Sequence, residues 1–236
     1  NPGRELNELG QSGIRVHEIS MSRNPSLGAD LVALVRWFQL IRELRPDVVS
    51  IGTPKASLLG ILASWVCRVP SRIYVLRGLR LETTKGIRRT ILWLMEGLTS
   101  RASTDILSVS PSLSRLYCAM KLAAPTKIHL LGLGSSHGVE TSHFAPATKI
   151  TRTRLRRELG LSPSVPVIGF VGRFSIDKGS GIILGLHKRL LTLGHKHQML
   201  IVGDIEDSSQ EWEMLNGEAT GVTCVGEVAD TAKFYS

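Results

Sequence analysis

Aromatic side chains are scarce, at 5% of 236 residues, and no uninterrupted apolar run reaches the eighteen or so residues that a membrane-spanning helix needs. The shortage of rings leaves no aromatic-and-basic platform of the kind that binds nucleic acid. No charged-then-apolar leader opens the chain, so nothing reads as a secretory signal; it begins at Asn1 rather than Met, and the expectation is that the natural start lies upstream. Cysteine is nearly absent. Cys67, Cys118 and Cys224 are far apart and odd in number, which excludes a zinc spacing and a disulfide framework and predicts reduced, half-buried thiols in a cytoplasmic protein. The seven histidines give no metal signature. His195 and His197, two apart, read as solvated turn residues.

What is present is an α/β composition: 42% hydrophobic residues and 23 glycines suit short buried strands alternating with amphipathic helices, enough for one large or two ordinary domains. Charge is uneven. Residues 1–146 hold 18 Lys/Arg against 10 Asp/Glu, and residues 147–236 hold 11 against 10. The net +9 therefore sits almost wholly in the first part, much of it between Arg68 and Arg101. This predicts an anionic partner there, and charge alone leaves nucleic acid, an anionic membrane surface and a phosphorylated substrate open. The lack of a ring platform or a nucleic-acid-binding motif counts against the first.

Periodicity predicts a helix over 4–9 and a half-buried strand over 14–19, then a helix capped by Asp30 and ended by Pro46. The run 47–51 reads as a strand covered on both faces. Helices over 57–66, 85–99 and 111–120 then alternate with strands over 72–76, 105–109 and 127–131. The apolar side of the second of these helices carries Ile87, Ile91, Leu94, Met95 and Leu98. After a polar connector, 132–146, a basic helix over 151–159 leads to strands at 165–171, 198–202 and 222–225, with helices at 180–193 and from near 230. Such repeats imply two parallel, doubly wound units, divided near Ala147 into domains 1–146 and 147–236.

The sharpest motif is the strand 165–171 running into Gly172-Arg173-Phe174-Ser175-Ile176-Asp177-Lys178-Gly179, with a helix opening directly after it. A loop at the carboxyl end of a parallel strand faces the ligand crevice of an open sheet. A helix N-terminus adds unpaired N–H groups suited to an anion, and two cations beside it would make a diphosphate site. An ordinary strand-to-helix turn with exposed Arg and Lys explains the spacing equally well. Gly132, Gly134 and Gly138 do not form a dinucleotide fingerprint, because the spacing is wrong and Pro146 and the polar run from Ser135 deny them a following helix.

This segment resembles the Gly-Arg…Asp-Lys-Gly signature of family-four retaining glycosyltransferases. The stretch 132–146 resembles that family's Gly-Val-Asp…Phe-x-Pro connection, with Glu140 in place of the usual Asp. In the first half, Met21-Ser22-Arg23, Arg45-Pro46-Asp47-Val48-Val49, Thr53-Pro54-Lys55-Ala56, Tyr74-Val75-Leu76-Arg77-Gly78-Leu79 and Ser108-Val109-Ser110-Pro111-Ser112 resemble the branch that builds capsular and exopolysaccharide repeat units. Relatives often carry His at one or both of the polar positions held here by Ser50 and Gly52.

The resemblance implies the GT-B fold, two Rossmann-like domains, both expected to be incomplete here. It implies that Gly172, Arg173 and Lys178 bind the donor diphosphate, that Gly203, Gly226, Glu227 and Val228 line the donor nucleotide, and that Arg77 and Lys55 are anion candidates on the acceptor side. It also implies a UDP-type nucleotide-sugar co-substrate with no other cofactor or metal, and a lipid-linked saccharide acceptor. The location that follows is cytoplasmic, peripheral on the inner face of the membrane. The family's sugar-holding glutamate pair belongs to a later segment, so these 236 residues are expected to grip a diphosphate without turning over. The alternative is a non-catalytic nucleotide-binding module or a truncated relic.

Overall fold

The computed structural model describes residues 10, 12–21, 26–207, 209, 212–213 and 221–235. The chain divides into two compact units, Asn1–Gly138 and Val139–Ser236, with the division eight residues before the expected boundary. His143 and Phe144 make their contacts in the second unit: His143 Nε2 lies 3.0 Å from Asp230, and the Phe144 ring packs edge-on against Tyr235 at 5.7 Å.

In the first unit, helix α1 (Leu27–Leu44) begins three residues before the expected start. Ser26 is its N-cap, and Asp30 sits inside the first turn, where its carboxylate accepts from the Ser26 N–H at 3.1 Å. A carboxylate is favourable there, at the positive end of the helix dipole. Strand β1 (Val48–Ile51) follows, then α2 (Pro54–Val66), started by Thr53 as N-cap with proline in the first turn, three residues earlier than the apolar pattern suggested. Strand β2 (Ser71–Leu76), helix α3 (Gly86–Ala102), strand β3 (Asp105–Ser108), helix α4 (Pro111–Ala119) and strand β4 (Ile128–Leu130) complete the unit. Ser110 caps α4 by accepting from Leu113 N–H at 3.2 Å.

The four strands are parallel in the order β1-β2-β3-β4. Register places Ile51 beside Tyr74, Tyr74 beside Ile106, and Leu76 beside Ser108, and all five are buried. On the opposite face Val48 and Ser50 of β1 are exposed, so β1 is covered on one face and not on both. Successive crossovers in one direction keep one hand and deliver their helices to one side, which accounts for the asymmetry.

Two further expectations fail in this unit. Residues 14–19 form no strand, and Ile14 and Val16 are exposed: alternation alone does not make a strand when no described neighbour offers a ladder. The expected helix over 4–9 lies outside the described residues. On α3, the apolar stripe Ile87, Ile91, Leu94 and Leu98 is 46–78% exposed. The helix instead turns Leu92, Glu96, Thr99 and Ala102 inward. The reason is polar. Tyr74 and Tyr117, both buried, donate their hydroxyls to Glu96 Oε2 at 3.0 and 3.2 Å, and a buried phenol needs such a partner. Burial pushes the Glu96 carboxyl above its usual range, against the lowering effect of the two hydroxyls.

The second unit holds α5 (Lys149–Glu158), β5 (Val167–Val171), α6 (Ser180–Thr192), β6 (Gln198–Val202), β7 (Val222–Gly226) and a 3-10 turn, Ala232–Tyr235, where a last helix was expected. Its sheet is parallel in the order β5-β6-β7, and both faces are covered. Met199 and Ile201 pack with Leu184 of α6, Phe174 and Trp212. Leu200 and Val202 pack on the other side with Leu159, Leu161 and Phe234.

His197 is not a simple solvated turn residue. Its Nδ1 bonds the His195 carbonyl at 2.9 Å, and its Nε2 meets Nδ1 of the fully buried His187 at 2.7 Å. Because His197 Nδ1 must carry the donated proton, its Nε2 accepts and His187 Nδ1 donates, leaving His187 Nε2 buried without a partner. Burial lowers the His187 pKa, with a further contribution from His197. Of the thiols, Cys67 and Cys118 are half-buried and Cys224 is exposed.

Candidate functional site

The carboxyl ends of β5, β6 and β7 run into Gly172, Gly203 and Gly226. Gly172 N–H donates to Val202 O and Gly203 N–H to Gly226 O, both at 2.8 Å, so the three glycines lie side by side along one edge of the sheet. Gly203 has no alternative. A Cβ there would stand 2.2 Å from the Gly172 carbonyl oxygen, and its φ of +132° is one that side chains rarely adopt. The edge is therefore bare backbone, which a ligand can approach closely.

The loop 172–179 is pinned beside this edge. Phe174 is fully buried among Phe170, Leu184 and Trp212, its N–H donates to Asp204 O at 2.7 Å, and its carbonyl accepts from Glu206 and Asp207 N–H at 3.0 Å. Anchoring Phe174 fixes the residues on either side. Arg173 comes out half-exposed, its Nη1 bonded to both carboxylate oxygens of Glu206 at 3.0 and 3.2 Å, with Asp177 3.7 Å away. Lys178 ends a 3-10 turn, Ile176–Lys178, is exposed, and forms no ion pair with any described residue. Gly179, at φ +90°, turns the chain into α6.

At the start of α6, Ser180 donates its hydroxyl to the buried Asp207, which also accepts from Ser209 N–H at 2.9 Å. The Ser180 hydroxyl, then the Ser209 N–H, holds the Asp207 carboxyl below its usual range. Asp177 is lowered by the Ser175 hydroxyl at 2.6 Å and by the Arg173 charge. The site thus offers a guanidinium, an ammonium and exposed backbone on one sheet edge. The exposed Arg173–Glu206 pair is worth at most about 1 kcal/mol, whereas charge-assisted bonds to a phosphate contribute about 1.5–3 kcal/mol each. A diphosphate can displace Glu206 from Arg173.

The remaining predicted residues divide. Gly226 belongs to the glycine row, and Glu227, just beyond it, is exposed without a described partner. Val228 is half-buried against Leu161, Leu200 and Val202, so its side chain serves the core. In the first unit Lys55 bonds Asp30 at 2.5 Å, and both side chains are three-quarters or more buried. Arg77 is exposed at the carboxyl end of β2 and lies across Gly52, where a Cβ would stand 2.9 Å from its Nε. The motif reading did not single out Glu206, Ser180 or Asp207. Asp177 stood inside the motif, but Glu206 is 33 residues from Arg173, and only the fold joins them.

A family model described as a glycosyl transferase 4-like domain matches residues 1–134. The capsular polysaccharide biosynthesis glycosyltransferase CapM of Staphylococcus aureus is 32% identical over 237 positions, covering 99% of this chain and 61% of its own length. The UDP-Gal:alpha-D-GlcNAc-diphosphoundecaprenol alpha-1,3-galactosyltransferase of Escherichia coli is 26% identical over 87% of this chain and 64% of its own. Among solved structures, Anabaena HepE in complex with UDP-glucose shares the fold with a TM-score of 0.75 at 20% identity, over 98% of this chain and 61% of its own. The chain thus spans 61–64% of the length of these relatives. The fold is the GT-B arrangement of two Rossmann-like units, and the chain belongs to the glycosyl transferase 4-like family.

Proposed function

We propose that the whole protein moves a sugar from a UDP-type donor to a lipid-linked saccharide in cell-surface polysaccharide synthesis, with retention of anomeric configuration. Residues 172–179, beside the glycine row, hold the donor diphosphate. The bond from the sugar's anomeric carbon to the diphosphate oxygen breaks, a bond from that carbon to an acceptor hydroxyl oxygen forms on the same face, and the hydroxyl's proton passes to the leaving diphosphate, on which the charge collects. Arg173 and Lys178 stabilise that charge electrostatically, so the grip needs no metal. The observation that carries this reading is the row Gly172, Gly203 and Gly226 at the sheet edge beside Arg173, with Gly203 barred from carrying a side chain by the Gly172 carbonyl.

The acceptor side rests on the first unit's basic surplus and on α3. Its solvent-facing stripe Ile87, Ile91, Leu94 and Leu98 adjoins Arg80, Lys85, Arg88 and Arg89, an amphipathic basic surface suited to anionic lipid at the inner face of the membrane. Arg77 is the candidate for an acceptor phosphate. The test is a transfer assay on the whole protein with UDP-glucose, UDP-galactose and UDP-N-acetylglucosamine and a polyprenyl-diphosphate-linked saccharide. Acceptor-dependent UDP release with an α-linked product supports the reading. No release from any donor, or inversion at the anomeric carbon, refutes it.

A further inference from the structure

A cavity of about 540 Å³ opens at the amino ends of β1 and β2, on the sheet edge opposite Gly52 and Arg77. Arg42, Arg45 and Arg68 line it, with Phe38, Cys67 and Asp47. Helices α1 and α2 both end there, and basic residues at helix C-termini are common because they answer the negative end of the dipole. The charges here exceed that need. Two helix ends carry about half a negative charge each, Asp47 adds one, and three guanidiniums leave a surplus of about one positive charge. None of the three forms an ion pair with a described residue; Arg42 stacks on the Phe38 ring face, 5.5 Å from its centroid, and its charge acts on Cys67.

Arg45 at φ +45° and Arg68 at φ +59° are two of the three non-glycine residues at positive φ among the described residues. Both face one cavity, in a conformation that glycine takes without a Cβ clash. Each follows the end of a helix, α1 or α2, where a left-handed residue is a common terminator, and glycine would fill either position with less strain.

We propose that this cavity is a second anion site, distinct from the loop at Arg173, and that it takes a phosphoryl group through Arg42, Arg45 and Arg68. A soluble phosphate compound and a phospholipid headgroup share this chemistry. The experiment titrates inorganic pyrophosphate at low salt into an Arg173→Ala, Lys178→Ala variant, which removes the donor grip. It also floats the same variant with phosphatidylglycerol vesicles. Adding Arg45→Gly and Arg68→Gly should weaken pyrophosphate binding, vesicle binding or both at least tenfold. The thermal midpoint should hold or rise, because glycine relieves both positions. Arg42→Gln alone, a change on a helix surface, should give a severalfold loss. Loss of pyrophosphate binding identifies a soluble ligand, and loss of vesicle binding alone identifies a headgroup. Pyrophosphate and vesicle binding both within twofold of the starting variant would overturn the proposal. Because the donor grip is already absent, failure here leaves the reading of Arg173 and Lys178 standing.

Discussion

At the carboxyl edge of the first sheet Lys55 is largely buried against Asp30, and the exposed Arg77 lies across Gly52. At the same edge of the second sheet Lys178 has no described ion-pair partner, and Arg173 is held only by exposed carboxylates. The second edge also has a glycine at the end of each of its three strands, whereas at the first edge Gly52 follows β1 but Arg77, Val109 and Leu131 follow the other three. A parallel sheet therefore offers a crevice at its carboxyl edge by topology alone, and the diphosphate grip is assigned to the edge where bare backbone and loosely held cations coincide.

The largest expected effect breaks the second edge. Gly203→Ala forces a Cβ into the Gly172 carbonyl and should cost about 3 kcal/mol or more in urea unfolding, with UDP binding lost. Gly78→Ala, with no atom within 4 Å of its Cβ, should change stability by less than about 0.5 kcal/mol.

Next, the two lysines should separate stability from binding. Lys55→Ala leaves the largely buried Asp30 without its ion-pair partner and should cost about 1–3 kcal/mol while UDP affinity holds. Lys178→Ala should leave the unfolding midpoint unchanged and weaken UDP about tenfold or more.

Acidification should move the two units in opposite directions. His187 has a folded pKa below the ordinary 6.5, so the unfolded chain binds its proton first, and the second unit loses stability as pH falls below about 6.5. Glu96 has a folded pKa above the ordinary 4.5, so its contribution is complete below 4.5 and fades as pH rises through the raised value. Hydrogen exchange between pH 7.5 and 5 should show protection falling around α6 and β6 while it holds or rises around α3, and His187→Leu should flatten the first trend.

The smallest effect concerns Glu206. Glu206→Gln removes a carboxylate that competes for Arg173, and it should tighten UDP severalfold with little change in stability, as judged by calorimetry and thermal unfolding.

Much of this edge was legible in the residues. The strand into Gly172, the cations at 173 and 178 and the glycines after β6 and β7 follow from pattern and resemblance. What was hidden depends on contacts distant in sequence. The pairing of Arg173 with Glu206 and the burial of Asp207 under Ser180 exist only once β5 and β6 lie side by side, and the bond from His187 to His197 only once the chain turns back after α6. Periodicity misled at α3, where the apolar stripe faces solvent because Tyr74 and Tyr117 draw Glu96 inward. It misled again at 14–19, where alternation found no described ladder partner.

The most direct measurement is a calorimetric titration of UDP into the chain and into its Arg173→Ala and Lys178→Ala variants. Each variant should bind about tenfold to a hundredfold more weakly, as expected for the loss of a charge-assisted contact. Equal affinity in all three would contradict the assignment of the donor diphosphate to this loop.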